Sequence, residues 1–277
     1  MDWSRSKTIL ILTLVIFNIV LFVNICFYRS KQNISKETIN NAGEILNKRG
    51  ITLKCDIPLY VGKVPALVLE SNGIGELKVL DKLALQFNAS TDKLKEGIKV
   101  QSGSKTLYYD GKNTITYMDD SPSGKIDFSE KSNVEKYIRK YFSSLGFSMS
   151  SYILDEFARL EDNNLMVTFI EKYKSYPIFS NYLKVVISEK GIREFEYRHN
   201  KLKEQKGNYS NIMPAYQVLL KNFTNSSDMV ITAIDIGYKS SDSGNEMKET
   251  TEWPKWRVKI EGQPEPLYFN AIDGKKE

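Results

Sequence analysis

The sequence is poor in the residues that most metalloproteins and hydrolases use for chemistry. Its 277 residues include one histidine, His199, and two cysteines, Cys26 and Cys55. One histidine in a polar stretch does not supply a histidine-based metal site or a Ser-His-Asp triad, and two cysteines do not support a disulfide framework. We expect His199 to be a surface residue without a role, and Cys55 to be a small buried residue rather than a reactive thiol.

Phosphate-binding and acid–base motifs are also missing. Gly73-Ile74-Gly75 is too short for a phosphate loop and fits a turn. Ser102-Gly103-Ser104-Lys105 matches Ser-x-x-Lys, but the companion motifs of that enzyme class are absent. The adjacent carboxylates Asp119-Asp120 and Glu161-Asp162 are typical of solvated turns. We predict no catalytic residue, no metal ligand and no cofactor, and hence a protein that is not an enzyme.

The charge balance argues against nucleic acid as a partner. The net charge of +5 arises from 39 basic and 34 acidic residues that are well mixed along the chain. Arg198–Lys203 is the nearest approach to a basic run, and we expect it to be a solvated loop rather than a phosphate-binding track.

The most distinctive feature of the sequence is one long apolar segment, residues 8–28, which carries no charge. As a helix it is about 31 Å long, which matches the apolar thickness of a bilayer. A cleaved signal peptide would need a small-x-small exit, but residues 24–28 are bulky. A lipoprotein would need a small residue before Cys26, where Ile25 stands. A core helix at the N-terminus is a further alternative, and we predict an uncleaved transmembrane anchor.

The orientation of the anchor is less strongly encoded. Arg5 and Lys7 before the segment are matched by Arg29 and Lys31 after it, so the positive-inside rule has little asymmetry to act on. Because a short tail stays inside most easily, we expect residues 1–7 to be cytoplasmic. The C-terminal domain would then be extracytoplasmic, carried by a single pass through the cell membrane.

Two asparagines interrupt the apolar segment. Asn18 lies near its centre, where an amide that faces lipid is unfavourable, so we expect it to hydrogen-bond to another helix. That helix would belong either to a second copy or to a different membrane protein. Asn24 lies near the outer end, where the wet interface explains it without a partner.

The remainder of the chain reads as an α+β domain. Helices predicted at 33–50, 133–145 and 210–223 are separated by runs of strands, an order typical of antiparallel sheets with helices packed on one face. A loop with Pro122 and Gly124 suggests two related lobes, a membrane-proximal lobe at 29–127 and a distal lobe at 128–277. Strands are predicted at 51–55, 66–70, 74–88, 97–101, 106–109, 113–117, 152–160, 165–173, 182–188, 192–198, 228–238, 254–260 and 265–271.

Several stretches are similar to a known family. Met1-Asp2-Trp3-Ser4-Arg5-Ser6-Lys7-Thr8, followed by Phe17-Asn18-Ile19 inside the apolar run, closely resembles the start of the YycI (WalI) family. Residues 176–181 and 253–258 resemble YycI and its relative YycH. Residues 268–274 resemble both of these and PepSY-type modules as well.

The resemblance implies a function. YycI proteins are membrane-anchored regulators of the WalK–WalR two-component system in Gram-positive bacteria. A member of the family would pair its outer domain with a YycH-like partner. Its transmembrane helix would contact the transmembrane helices of the WalK-like sensor histidine kinase and so adjust cell-wall metabolism. By this mapping the partner-binding residues are Leu14, Asn18 and Leu21, which three- and four-residue spacing places on one helix face.

Two other function classes remain open from the residues alone. A PepSY-like binding or inhibitory module would act on an extracellular protease or cell-wall enzyme through its outer domain. An enzyme acting on cell-wall glycans or peptides would need an acidic pair or a nucleophile, and the sequence does not place one.

Overall fold

The protein is described by a computed structural model that covers residues 3–31, 34–60, 62–71, 79–88, 97, 99–224, 228–240 and 249–277, with the side chains of residues 4, 5 and 24–31 among those excluded. These residues form two compact units. The first comprises Met1–Val64, Ser210–Asp235 and Trp256–Glu277, and the second comprises Pro65–Tyr209 and Ile236–Lys255. This division differs from the predicted lobes at 29–127 and 128–277, because pairing between distant segments, not chain order, defines each unit.

The first unit contains the N-terminal helix α1 (Trp3–Lys31) and the amphipathic helix α2 (Lys36–Lys48). Helix α2 confirms the helix predicted at 33–50. The Ser35 side chain accepts a hydrogen bond from the Thr38 N–H and thus caps its first turn. Leu46 is fully buried, and Gly50 ends the helix with a φ of 78°.

A small sheet and a short helix complete the first unit. Strand β1 (Ile51–Leu53) pairs in parallel with β11 (Met229–Tyr238), Ile51 lying opposite Met229. Arg49 donates from Nη1 to the carbonyl oxygens of Leu220 and Phe223, at 2.8 and 3.0 Å, at the end of helix α5 (Ala215–Asn222). Of the strands after β11, β12 (Glu249–Glu252) belongs to the second unit, whereas most of β13 (Pro254–Ile260) and all of β14 (Leu267–Asn270) belong to the first.

The second unit is built on an antiparallel sheet of seven strands. Their order is β3-β4-β5-β9-β8-β7-β6. The helices α3 (Val79–Gln86) and α4 (Lys131–Ser144) bury Leu80, Leu83, Val134, Ile138 and Phe142 in the same core as one face of that sheet. The strands are β3 (Val100–Ser102), β4 (Lys105–Tyr109), β5 (Thr114–Asp119), β6 (Tyr152–Arg159), β7 (Leu165–Tyr173), β8 (Tyr176–Ser188) and β9 (Gly191–Arg198).

The core of the second unit contains a cluster of aromatic rings. Phe142 packs edge-on against Phe195 and Phe147, with ring centroids 5.0 and 5.1 Å away, and Tyr117 stacks on Phe195 at 5.0 Å. A second sheet of three strands, in the order β10-β2-β12, contains β2 (Lys63–Glu70) and β10 (Lys201–Asn211). The predicted α+β class with antiparallel sheets is confirmed.

The hairpin predicted from Asp110-Gly111 is also confirmed. Strands β4 and β5 pair antiparallel, with Tyr109 opposite Ile115. The Asp110 carboxylate accepts hydrogen bonds from the backbone N–H groups of residues 112, 113 and 114 at 2.8 to 3.0 Å, which closes the turn.

Three assignments made from the sequence are wrong in part. The strand predicted at 74–88 is helix α3 from Val79 to Gln86, because Val79, Leu80 and Leu83 are buried at helical spacing, while residues 74–78 lie outside the described part. The helix predicted at 210–223 begins only at Ala215, since residues 210 and 211 end β10. Arg198–Lys203 is not a solvated loop, because it ends β9, turns at residues 199–200 and starts β10.

Candidate functional site

Helix α1 is long and apolar enough to cross a membrane. Within it, residues Ser6–Val23 have a mean hydropathy of 2.3, and none of that window is buried against the rest of the protein. The Lys7 ammonium lies 3.7 Å from the centroid of the Trp3 ring, so an aromatic and a cation are paired at its N-terminal end. The segment predicted as the anchor is therefore helical, and none of its window from Ser6 to Val23 is buried.

The predicted partner-binding residues lie on this helix and their side chains are exposed. Leu14 is 53% exposed, Leu21 is 44% exposed, and Asn18 lies between them. Their spacing places the three side chains on one face. A partner at that face stays a prediction.

The Asn18 amide has a hydrogen bond that sequence reasoning did not anticipate. Its Nδ2 donates to the Leu14 carbonyl oxygen, one helical turn earlier, at 2.9 Å. Thr13 makes the equivalent bond from its hydroxyl to the Ile9 carbonyl oxygen, also at 2.9 Å. Asn18 therefore satisfies one N–H within its own helix, and this lowers its need for a partner without removing it. The side chains of Asn24 and Cys26 lie outside the described residues.

A second polar site lies inside the second unit. Three buried asparagines form a connected set, here called the asparagine cluster: Asn113, Asn181 and Asn200. Asn113 Nδ2 donates to Asn200 Oδ1 at 2.8 Å, and the Asn200 side chain and backbone N–H both donate to Asn181 Oδ1, at 2.9 and 2.8 Å. Asn181 Nδ2 donates in turn to the Glu171 carboxylate at 2.7 Å and to the Asn200 carbonyl oxygen at 2.8 Å.

The asparagine cluster connects to the single histidine. His199 Nε2 lies 3.4 Å from the Glu171 carboxylate, and the two side chains are only 17% and 20% exposed. The prediction of a surface histidine is wrong, because His199 pairs with a carboxylate and its ring stacks parallel to Tyr197. Its Nδ1 is buried without a hydrogen-bond partner among the described residues.

The pKa of Glu171 results from opposing effects. Burial raises the pKa. The hydrogen bond and charge of His199, together with hydrogen bonds from Asn181 and Ser151, lower it by more than burial raises it, so the pKa of Glu171 lies below its ordinary value. Glu171 is therefore a charged, well-bonded carboxylate inside the second unit. Its bonds connect β7 to β8 and to the β9–β10 turn, and the asparagine cluster extends this network to the β4–β5 hairpin through Asn113, which is a structural arrangement.

The other groups considered for chemistry are held in structural contacts. Asp119 is buried rather than solvated, because it accepts hydrogen bonds from the Ser104 hydroxyl at 2.7 Å and the Ser121 N–H at 3.1 Å. Burial, with the charges of Asp56 and Asp235, raises the pKa of the half-buried Cys55 thiol, which disfavours the reactive thiolate. Within the described part of the chain, no group of three or more His, Cys, Asp or Glu residues is placed to hold a metal ion.

An open groove of about 710 Å³ lies at one end of the second unit's sheet. Lys125 and Arg159 line it together with Asp127 and Glu189, so its charges are mixed. Asp127 accepts hydrogen bonds from the Ser129 N–H and from Asn133, and Glu189 accepts one from Asn163. The acidic groups are thus engaged in holding loops, and the groove offers no obvious nucleophile or acid–base pair.

Comparisons with known proteins give one family and two structural likenesses. A protein from Eubacterium rectale ATCC 33656 has a TM-score of 0.53 and 13% identity, covering 86% of this chain and 98% of its own. YycH from Bacillus subtilis has a TM-score of 0.48 and 16% identity, covering 76% of this chain and 53% of its own. At such identities the first likeness shows the fold alone. Comparison with the curated proteins finds no match.

The family model for the YycI protein matches residues 29–272. The match covers well over half of the chain and lies outside the first twenty residues, where the resemblance noted from the sequence is sharpest. The residues after the apolar segment therefore carry the family relationship by themselves. The chain belongs to the YycI family.

Proposed function

We propose that this protein is a membrane-anchored, non-enzymatic regulator of a WalK-type sensor histidine kinase, and that it acts through contacts between transmembrane helices. The observation that carries the proposal is helix α1, an apolar helix with no buried residue between Ser6 and Val23 and with a partly bonded amide near its middle. Membership of the YycI family supports it. The contact face comprises Leu14, Asn18 and Leu21.

The outer domain has a different role in this proposal. It lies outside the cell, pairs with a YycH-like protein, and biases how the anchor sits beside the kinase helices. A coupling of about 1–3 kcal/mol between anchor packing and the kinase's two signalling arrangements would change their ratio roughly 5- to 150-fold. That range is enough to adjust the control of cell-wall metabolism without catalysis.

The test exchanges residues 8–28 for an unrelated apolar helix of equal length and leaves the outer domain unchanged. We expect the exchanged protein to reach the membrane but to lose its effect on kinase output, measured as transcription from a promoter under the control of the response regulator. Regulation that survives the exchange would contradict the proposal. It would favour an outer domain that acts alone, as a PepSY-like module on a protease or cell-wall enzyme would.

Orientation is tested separately. Protease added to intact spheroplasts is expected to digest residues 29–277, because the proposal places them outside the cell. Full protection of the outer domain, with digestion only after lysis, would place that domain in the cytoplasm and would exclude a YycH-like partner on the outer surface.

A further inference from the structure

The exposed face of helix α1 extends beyond the three partner-binding residues. Ile11 precedes Leu14 by three residues, Asn18 follows by four and Leu21 by three more, and Ile11 is 61% exposed. We call Ile11, Leu14, Asn18 and Leu21 the anchor seam. Alternating steps of three and four are the spacing of knobs-into-holes packing, which joins two helices at a left-handed crossing near 20°.

The hydrogen bonds of the helix distinguish Asn18 from Thr13. The Thr13 hydroxyl has a single proton, and the bond to the Ile9 carbonyl oxygen uses it. The Asn18 amide has two N–H bonds and a carbonyl oxygen, and the bond to the Leu14 carbonyl oxygen uses only one N–H. Thr13 is therefore compatible with lipid, whereas Asn18 retains a donor and an acceptor that hydrocarbon does not satisfy.

The charge at the N-terminal end of the anchor seam argues against a second copy of this protein as the partner that packs there. Lys7 continues the seam one step before Ile11, and its ammonium is held over the Trp3 ring. A parallel symmetric pair would bring the two Lys7 side chains to the same end of the interface, where like charges repel. A different protein can place a neutral or acidic residue there.

We infer that the anchor seam packs against a transmembrane helix of a different protein that carries serine, threonine, asparagine or glutamine at the level of Asn18. Each of these side chains offers both a donor and an acceptor to the open half of the amide. The inference rests on the proposed function for the identity of the partner, the sensor histidine kinase. It adds the chemistry of the contact, the crossing geometry and Ile11.

The experiment compares full-length variants that carry one affinity tag and measures the sensor histidine kinase recovered with each in mild detergent. We expect Asn18→Leu to lower recovery roughly 3- to 20-fold, the range for one interhelical hydrogen bond. Asn18→Gln keeps an amide at the seam and is expected to retain most of the recovery. Thr13→Val removes a polar group that lies off the seam and is expected to change nothing.

A transplanted amide provides the matched control. The double variant Asn18→Leu with Ile16→Asn keeps one amide in the span but moves it to the other side of the helix, about 160° away. We expect its recovery to be as low as that of Asn18→Leu. If the double variant recovered as much kinase as the original protein, the seam assignment would be wrong, because an amide at any position in the span would then be sufficient. Loss of self-association by Asn18→Leu, seen between two differently tagged copies, would overturn the choice of a different protein.

The anchor exchange separates the two levels of failure. If the exchanged anchor abolishes regulation while Asn18→Leu retains normal recovery of the kinase, the seam assignment is wrong and the proposed function stands. If the exchanged anchor still regulates, the proposed function itself is wrong. Both the seam assignment and the proposed function are supported if the exchanged anchor abolishes regulation, Asn18→Leu lowers recovery of the kinase, and Thr13→Val leaves that recovery unchanged.

Discussion

Asparagine occurs in two apolar settings in this protein, and the two are bonded differently. In the second unit, Asn181 and Asn200 are 0% and 3% exposed. The Asn181 amide donates to Glu171 and to the Asn200 carbonyl oxygen, and its oxygen accepts from Asn200. In the anchor, Asn18 makes one bond to its own helix, and no further partner for it is found in the described residues.

The difference follows from what surrounds each amide. Strands β7 and β8 and the β9–β10 turn supply complementary groups at short range, so burial of those asparagines leaves little polar surface unsatisfied. None of the window from Ser6 to Val23 in helix α1 is buried, and the helix backbone takes one amide proton of Asn18. The buried asparagines thus have their hydrogen bonds completed within the fold, whereas the Asn18 amide keeps one N–H and its oxygen for the partner that the proposed function assigns to it.

The largest expected effect is in the asparagine cluster. Asn181→Leu removes two donors and an acceptor at once and leaves the Glu171 charge with fewer bonds in a buried place. We expect the free energy of unfolding to fall by about 3–5 kcal/mol. The measurement is urea unfolding of the full-length protein in detergent, followed by circular dichroism.

Asn41→Leu, on the exposed side of helix α2, is the matched control and should stay within about 0.5 kcal/mol of the original protein. Equal losses for the two variants would show that the cluster contributes nothing specific. The comparison between buried and lipid-facing asparagines would then have no energetic basis.

The next effect concerns pH. Because the pKa of Glu171 is lowered in the folded protein, its contribution to stability is present above the unfolded value near 4.5 and is lost as the pH falls through the folded value. We expect Glu171→Gln to cost about 1–3 kcal/mol at neutral pH and to flatten the loss of stability on acidification below pH 4.5. Unfolding midpoints measured from pH 7 to pH 3 test this.

Glu156→Gln, which changes an exposed carboxylate on β6, is expected to leave the acid dependence unchanged. If Glu156→Gln reduced the loss of stability at low pH as much as Glu171→Gln does, this loss would be a general effect of removing a negative charge. The bonds of Glu171 to His199 and Asn181 would then not be its cause.

Local patterns explain which parts of this fold could be predicted. Helix α2 was predictable because Ser35, the apolar spacing and Gly50 act within a few residues of one another, and the β4–β5 hairpin was predictable from Asp110-Gly111. Helix α3 was harder to predict because it has only 8 residues, and its apolar pairs 79–80 and 83–84, although at helical spacing, form a run short enough to fit a strand.

The asparagine cluster carries no signal in the sequence. Asn113 and Asn181 bond to Asn200 across separations of 87 and 19 residues, and no motif joins them. Separation along the sequence likewise left the pairing of His199 with Glu171 unpredicted. The anchor was predictable because length and composition alone define it. Its contact face came from a family resemblance and stays a prediction.

The smallest expected effect completes the comparison. Asn18→Leu and Thr13→Val should each leave the unfolding midpoint of the outer domain within experimental error, because none of the window from Ser6 to Val23 is buried against the rest of the protein. The measurement is the same urea titration. A lower midpoint for Asn18→Leu alone would mean that the anchor amide supports the folded units, and its open half would no longer indicate a partner. If Asn18→Leu loses the kinase contact and keeps the original unfolding midpoint, Asn18 serves recognition and not folding. This result is expected of an amide whose hydrogen bonds are not completed within its own chain.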